Sequence, residues 1–364
     1  MIRLGMVGWR GMVGSVLVNR MLEMNDFNRV SPVFFSTSQI GQKAPDIGMD
    51  TPALQDAYDL DKLYQMDIII SCQGSEYTAS ILHKLRQLNW NGYWIDAASY
   101  KRLDHDSIIV LDPLNRRVID QALNKGLKNF IGGNCTVSLL MLALDGLIKN
   151  NLIEWISPMT YQAISGAGAK AMTTLLKQMN FVMTKELLDD DVLMVERKIT
   201  KMSHDLDYPS DGINHPLAYN LLPWIDEKIK NGQTKEEFKA QAEFNKILNR
   251  QTHIPIDGLC TRVSTLRCHS QAVTLKLKSD VDLRDIESML KGANPWIQFI
   301  ENEKTETLEK LTPINVSGTL DIAVGRVRKS AIDRSMLHLF TVGDQLLWGA
   351  AEPLRRMLNI LCES

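Results

Sequence analysis

The sequence has few cysteines, and their placement argues against pairing. Cys72, Cys135, Cys260, Cys268 and Cys362 are odd in number and widely scattered. They form no C-x-x-C pair and no zinc-like spacing, so neither a disulfide framework nor a metal site is expected. That usage fits a reduced, cytoplasmic setting. Long apolar runs are also missing, so no membrane span is expected, and Met1-Ile-Arg-Leu leads straight into a first strand without a signal peptide. Charge of one sign is not in excess, at a formal net −2. Nucleic acid and anionic membranes therefore have no electrostatic claim on the chain. There is no internal repeat and no low-complexity linker. What remains is 364 residues, 45% hydrophobic and 23% charged, enough for two domains with separate cores.

The first third alternates short apolar runs with helical stretches. Strands are expected at Ile2–Val7, Val33–Phe35, Asp67–Ser71, Tyr93–Asp96, Ile108–Leu111 and Phe130–Ile131, with helices such as Val13–Met24 and Thr78–Leu88 between them. That order predicts an α/β domain, a mostly parallel sheet covered by helices on both faces. From Trp155 the strands lengthen and alternate polar with apolar residues, at Ile156–Gln162, Gly258–Leu266 and Gln271–Lys278. Period two of this kind reads as an α+β domain. The last segment, Asp344–Leu361, returns to helical spacing, and Pro353 within it implies a kink or two helical pieces. It is expected to pack back on the first domain. The resulting division is 1–133 with 345–364, and 134–344.

Gly8-Trp9-Arg10-Gly11-Met12-Val13-Gly14 follows the first strand and opens a helix. Glycines there let backbone N–H groups approach phosphate oxygens, although the spacing is G-x-x-G-x-x-G rather than the usual dinucleotide fingerprint. The second strand ends Phe34-Phe35-Ser36-Thr37-Ser38-Gln39 without the carboxylate that an NAD site uses for the ribose hydroxyl. The hydroxyls of Ser36, Thr37 and Ser38, with the charge of Arg10, suit a 2′-phosphate instead. NADP is the expected cofactor; a plain polar turn is the alternative.

Gly132-Gly133-Asn134-Cys135-Thr136 sets one thiol between a glycine-rich turn and an apolar run, Val137–Leu147, that reads as a buried helix. A helix N-terminus favours thiolate, the form that attacks carbonyl carbon. A small buried residue at a tight turn fits the same pattern. An acid/base partner near neutral pH is best sought among the histidines. His269, in Arg267-Cys268-His269-Ser270, stands where two expected strands meet; His83 and His105 fall in surface segments, and His253 and His338 in loop and strand positions. Arg262 precedes His269 by seven positions, an odd spacing that sends the two to opposite faces of one straight strand. For both to line one site, a turn or bulge must intervene near Ser264–Arg267. Thr234-Lys235-Glu236-Glu237 reads as a capping box, after which Glu236 and Lys239 share a helix face. Locally that pair is most simply a surface ion pair; the alternative is a carboxylate for a cation beside an amine for an anion.

The chain resembles the bacterial, Gram-negative type of aspartate-semialdehyde dehydrogenase nearly from end to end. The matching blocks include GWRGMVGSVL at Gly8–Leu17, VFFSTSQIG at Val33–Gly41, SCQGSEYT at Ser71–Thr78 and GGNCTVSL at Gly132–Leu139. Further on they are IPIDGLCTRV at Ile254–Val263, LRCHSQ at Leu266–Gln271 and FTVGDQLLWGAAEPLRRML at Phe340–Leu358. The resemblance implies a Rossmann-type NADP domain, a catalytic domain that also makes a homodimer, and reversible reductive dephosphorylation of 4-phospho-L-aspartate. It implies Cys135 as nucleophile, His269 as acid/base, and Gln162 orienting a thioester. Arg262 would bind the α-carboxylate, Glu236 the ammonium, and Arg102 with Lys239 the phosphate, with Asn134 beside the nucleophile. Cofactor contacts would come from Arg10, Gly11, Met12, Val13, Thr37, Ser38, Gln73, Ser165, Gly166 and Gln345. Between Met179 and Glu196 the chain departs from the family: the segment is short, carries Asp189-Asp190-Asp191 and lacks a proline used near the nicotinamide. The alternatives are a related phosphorylating dehydrogenase, acting on N-acetyl-γ-glutamyl phosphate or glyceraldehyde 3-phosphate, and an inactive NADP-binding regulator.

Overall fold

The computed structural model describes residues 1–183, 191–250 and 252–363. Asp189 and Asp190, most of the acidic run between Met179 and Glu196, lie outside the described residues. Seven strands build a first sheet: β1 (Ile2–Val7), β2 (Val30–Ser36), β3 (Gln55–Asp56), β4 (Ile68–Ser71), β5 (Tyr93–Asp96), β6 (Ser107–Val110) and β7 (Asn129–Gly132). Their order is β3-β2-β1-β4-β5-β7-β6, and every pairing is parallel. Central parallel strands lose water on both faces, which is why β4 reads as an unbroken Ile-Ile-Ile run. One face packs on Leu17, Met21, Leu354 and Leu358, the other on Ile81, Leu82 and Leu85. The strand order reverses between β1 and β4, and a crevice beyond the carboxyl ends at such a point is where this architecture binds ligands.

A second sheet follows: β8 (Ile153–Gln162), β9 (Leu221–Leu222), β10 (Leu259–Val263), β11 (Cys268–Leu277), β12 (Ile297–Phe299), β13 (Ile322–Lys329) and β14 (Met336–Asp344). Its order is β12-β13-β14-β11-β8-β10-β9, with β8 parallel to β10 and antiparallel to β11. Along β8 the period-two pattern holds: Pro158, Thr160 and Gln162 are buried while Met159 and Tyr161 are exposed. The Cys135–Ala143 helix is buried along nearly its whole length, as its apolar composition requires. It packs into the core shared with Val273, Leu275 and Leu339 of the second sheet.

Several boundaries differ from the sequence reading. The strand expected over Gly258–Leu266 stops at Val263, and residues 264–267 bend before β11 begins. The buried helix begins at Cys135 and breaks at Leu144, before a short Asp145–Lys149 helix. The chain's end is two pieces, a π-helical turn Leu347–Ala351 and the Glu352–Glu363 helix. Pro353 sits in that helix's first turn, where a missing N–H breaks no helical bond. As expected, this helix packs on the first sheet. Arg355 Nη1 reaches Asp26 at 2.8 Å, and Arg356 forms a bidentate pair with Asp112. No helix among the described residues is long and apolar enough to cross a membrane.

Candidate active site

Asn134 ends the chain's passage from β7 into the Cys135–Ala143 helix, and its side chain is the helix cap. Its Oδ1 accepts from Thr136 N at 3.0 Å and Val137 N at 3.3 Å, satisfying first-turn donors. Cys135 therefore occupies the first helical position. Behind it His269 is almost fully buried, with Nε2 3.1 Å from Cys135 Sγ. His269 Nδ1 accepts from Ala163 N at 2.9 Å. A nitrogen that accepts cannot carry the proton, so the neutral ring holds it on Nε2 and donates toward sulfur. Burial, reinforced by the charge of Arg262, pushes the imidazole down to about 3, so the ring stays neutral.

The odd spacing of Arg262 and His269 is resolved by the bend at residues 264–267. Arg262 lies beside Gln162 in the β8–β10 register, and its Nη1 donates to Ala163 O at 2.6 Å. The two side chains thus grip the N–H and the C=O of the same residue. Thiolate is not favoured in this state, contrary to the expectation from the helix terminus. Burial pushes the Cys135 thiol up to about 12, with Glu236 adding to the rise and Arg262 and Arg102 opposing it.

Cys135, Asn134, Gln162, Arg102, Glu236, Lys239 and Arg262 all line one cavity of about 370 Å³. The capping box at Thr234 is formed as expected, but Glu236 is only 7% exposed, so the surface ion-pair reading is overturned. Its Oε1 accepts from Asn134 Nδ2 at 2.9 Å and Gln162 Nε2 at 3.2 Å, and Oε2 meets Lys239 Nζ at 2.9 Å. Burial alone would raise this carboxyl; Lys239 and the three hydrogen bonds outweigh it and hold it below the usual range. Arg102 Nε donates to Gly132 O at 2.6 Å and its Nη2 to Ala97 O at 3.2 Å.

Of the expected cofactor residues, Val13, Gly166 and Gln345 line this same cavity. Arg10, Gly11, Thr37 and Gln73 line a second one of about 310 Å³ at the strand-order reversal. Gly8 has φ +74° there, and a side chain on Gly14 would strike Gly8 O at 2.3 Å. No side chain caps the Met12–Glu23 helix that follows, leaving first-turn N–H groups for an anion. Arg10 Nη2 donates to Ser38 Oγ at 3.0 Å. Met12, Ser38 and Ser165 line neither cavity; the Ser165 hydroxyl donates to Arg267 O at 3.2 Å.

Three residues were missed. Buried Glu243 bridges two site residues, its Oε1 3.3 Å from Arg102 Nη1 and its Oε2 accepting from Asn134 N at 2.6 Å. With Glu236 and Lys239 it forms an i, i+3, i+7 stripe on the Lys235–Leu248 helix, a pattern readable in advance. Asp226 meets Lys239 Nζ at 2.8 Å. Gly349, in the π-helical turn, packs so closely that a Cβ there would lie 2.9 Å from Cys135 Cβ.

Family models match both halves of the chain: "Semialdehyde dehydrogenase, NAD binding domain" over residues 3–122 and "Semialdehyde dehydrogenase, dimerisation domain" over 144–348. The fold and these matches define a semialdehyde dehydrogenase, an oxidoreductase class. Aspartate semialdehyde dehydrogenase from Francisella tularensis is 52% identical, with a TM-score of 0.96, covering 99% of this chain and 100% of that one. The chain belongs to the aspartate-semialdehyde dehydrogenase family. Aspartate semialdehyde dehydrogenase II from Vibrio cholerae, solved in complex with ASA, shares the fold at 24% identity and a TM-score of 0.81, covering 100% of this chain and 99% of that one. The Candida albicans enzyme, solved with NADP, shares it at 16% identity and 0.68, covering 100% of this chain and 99% of that one.

Proposed function

We propose that this enzyme interconverts 4-phospho-L-aspartate and L-aspartate 4-semialdehyde plus phosphate, using NADPH and a thioester on Cys135. The observation that carries this is one cavity holding a thiol, three cations and a buried carboxylate. An amino acid bearing an acyl phosphate has two anionic groups and one cation, and needs that complement. Arg262 takes the carboxylate, Glu236 the ammonium, and Arg102 with Lys239 the phosphate. An acetylated substrate has no use for Glu236, and a sugar phosphate none for Arg262.

Cys135 sulfur attacks the acyl carbon; the C–S bond forms as the C–O bond to phosphate breaks, and the thiol proton leaves on the departing phosphate, which goes out as the hydrogen phosphate dianion. The cofactor, when bound, supplies the hydride that reduces the thioester. The resulting thiohemiacetal oxyanion collapses by expelling sulfur as thiolate, with His269 Nε2–H donating to it. For His269 to give sulfur a whole proton, as an acid/base would, Nδ1 must first be protonated, and the Ala163 N–H opposes that. Gln162, tied to Glu236, holds the acyl group in line.

The residues present fit the cofactor. Gln345, on the wall of the catalytic cavity, has a buried Oε1 with no partner among the described residues, an acceptor for a carboxamide N–H. Arg10, Thr37 and Ser38 would hold the 2′-phosphate, Gln73 the neighbouring ribose and Gly11–Val13 the pyrophosphate. Arg10→Ala is expected to weaken NADP binding by about ten- to hundredfold while leaving NAD binding nearly unchanged; fluorescence titration with each nucleotide checks this.

We further assign the division 1–133 with 345–364 and 134–344, a homodimer, a cytoplasmic setting, and a place in lysine/diaminopimelate, methionine, threonine and isoleucine biosynthesis. Support for the dimer comes from Met159, Tyr161 and Leu259, apolar side chains exposed on β8 and β10. The deciding experiment is phosphate-dependent reduction of NADP with L-aspartate 4-semialdehyde, beside glyceraldehyde 3-phosphate and N-acetylglutamate semialdehyde. Turnover with the first alone, requiring phosphate, is expected. Turnover with either rival, or with none, overturns the assignment.

A further inference from the structure

Both cations assigned to phosphate already face carboxylates. Arg102 is paired with Glu243, and Lys239 stands between Glu236 and Asp226, at 2.9 and 2.8 Å. The two carboxylates on Lys239 differ in kind. Glu236 is fixed by Asn134 and Gln162 as well as by the lysine, and is assigned to the substrate ammonium. Asp226 belongs to a loop, lines the cavity beside Cys135, and has a side chain 27% exposed.

That loop is built to aim a carboxylate. Asp226 has φ +71°, a left-handed conformation that aspartate tolerates better than most residues. Its Oδ1 accepts from Glu227 N at 2.9 Å, and its carbonyl accepts from Trp224 Nε1 at 2.8 Å. Lys235 N donates to Glu227 O at 2.7 Å, tying the loop to the start of the helix that carries Lys239. Oδ2 is left for Lys239.

We propose that Asp226 is a displaceable countercharge: it neutralises Lys239 when phosphate is absent, competes with phosphate for that ammonium, and so limits how tightly phosphate is held. Asp226 acts through Lys239 and is a positioning residue. This rests on the phosphate role proposed for Lys239. The same chemistry covers free inorganic phosphate and the phosphoryl group of the acyl phosphate.

The test is Asp226→Asn, read first by calorimetric titration of the substrate-free enzyme with inorganic phosphate. Removing the competing charge is expected to tighten phosphate on the order of three- to tenfold. KM for phosphate should fall by a similar factor in the oxidative direction, with KM for the semialdehyde little changed and kcat no higher. Asp226→Glu, which keeps the charge, should restore ordinary phosphate affinity, and Asp226→Ser should act in the same direction as the asparagine variant. Weaker phosphate binding in Asp226→Asn would mean that the aspartate merely holds Lys239 in place, and overturns the proposal; unchanged binding also overturns it. Because the titration needs no turnover, its result is separable from the substrate assignment. Tightened phosphate in an enzyme inactive on every aldehyde would keep the countercharge and remove the proposed reaction.

Discussion

Cys135→Ala will lose turnover by at least about 10,000-fold while binding NADP nearly as the parent does. No other thiol is placed to substitute: of the remaining described cysteines, none lines the catalytic cavity. Steady-state assays at high enzyme concentration, with nucleotide titration alongside, decide the point. Substantial residual turnover would remove the covalent route. The same thiol sets a pH signature. With burial holding it up near 12, the thiolate fraction in the substrate-free enzyme is small at neutral pH and grows as pH rises. Alkylation of Cys135 by iodoacetamide, followed by mass spectrometry, should therefore accelerate by about tenfold per pH unit through the alkaline range. A plateau below pH 8 would show that the helix terminus and the two arginines prevail over burial.

Glu243→Ala should be the most damaging change away from the reacting atoms. It removes a buried anion from between Arg102 and the backbone of Asn134. Deleting one partner of a buried pair leaves the other charge uncompensated, at a cost of about 3–5 kcal/mol, a large share of the stability of an ordinary domain. Urea denaturation should show that loss. Glu243→Gln should be milder, since an amide oxygen can still accept from Asn134 N. Activity should fall in both, because Asn134 caps the helix that begins at Cys135 and Arg102 is the side chain proposed for the phosphate. A loss below about 1 kcal/mol in the alanine variant, the range of ordinary substitutions, would contradict the bridging role.

Much of the site was legible because its parts are local. The glycine turn after β1, the cap before Cys135 and the Thr234 box each need only a few neighbouring residues. Even the Arg262–His269 relation was legible as a demand, since strand alternation forbids one face for an odd spacing. What was hidden depends on distant partners. Glu236 and Lys239 look like a solvated i, i+3 pair, and Asn134, 102 positions earlier, with Gln162, 74 earlier, shows the carboxylate to be enclosed. Glu243 could be read as a member of the same helix stripe, but its bond to the Asn134 backbone, at a separation of 109, could not. Asp226 lies in an irregular loop with no period to read. The two-residue strand Gln55–Asp56 and the π-helical turn are too short to carry a period of their own.

Ala163 has no functional group of its own, yet Arg262 holds its carbonyl and His269 its amide. The groups proposed to recognise the substrate and to ready the nucleophile thus share one short stretch of main chain. If Arg262 takes the substrate carboxylate as proposed, a guanidinium drawn toward it would pull on the residue that aims the imidazole at sulfur. On the roles proposed for Arg262 and Cys135, such a linkage would work as a proofreading lever: an aldehyde without the carboxylate would not only bind loosely but also meet a poorly aligned thiol, and would be slow even at saturation.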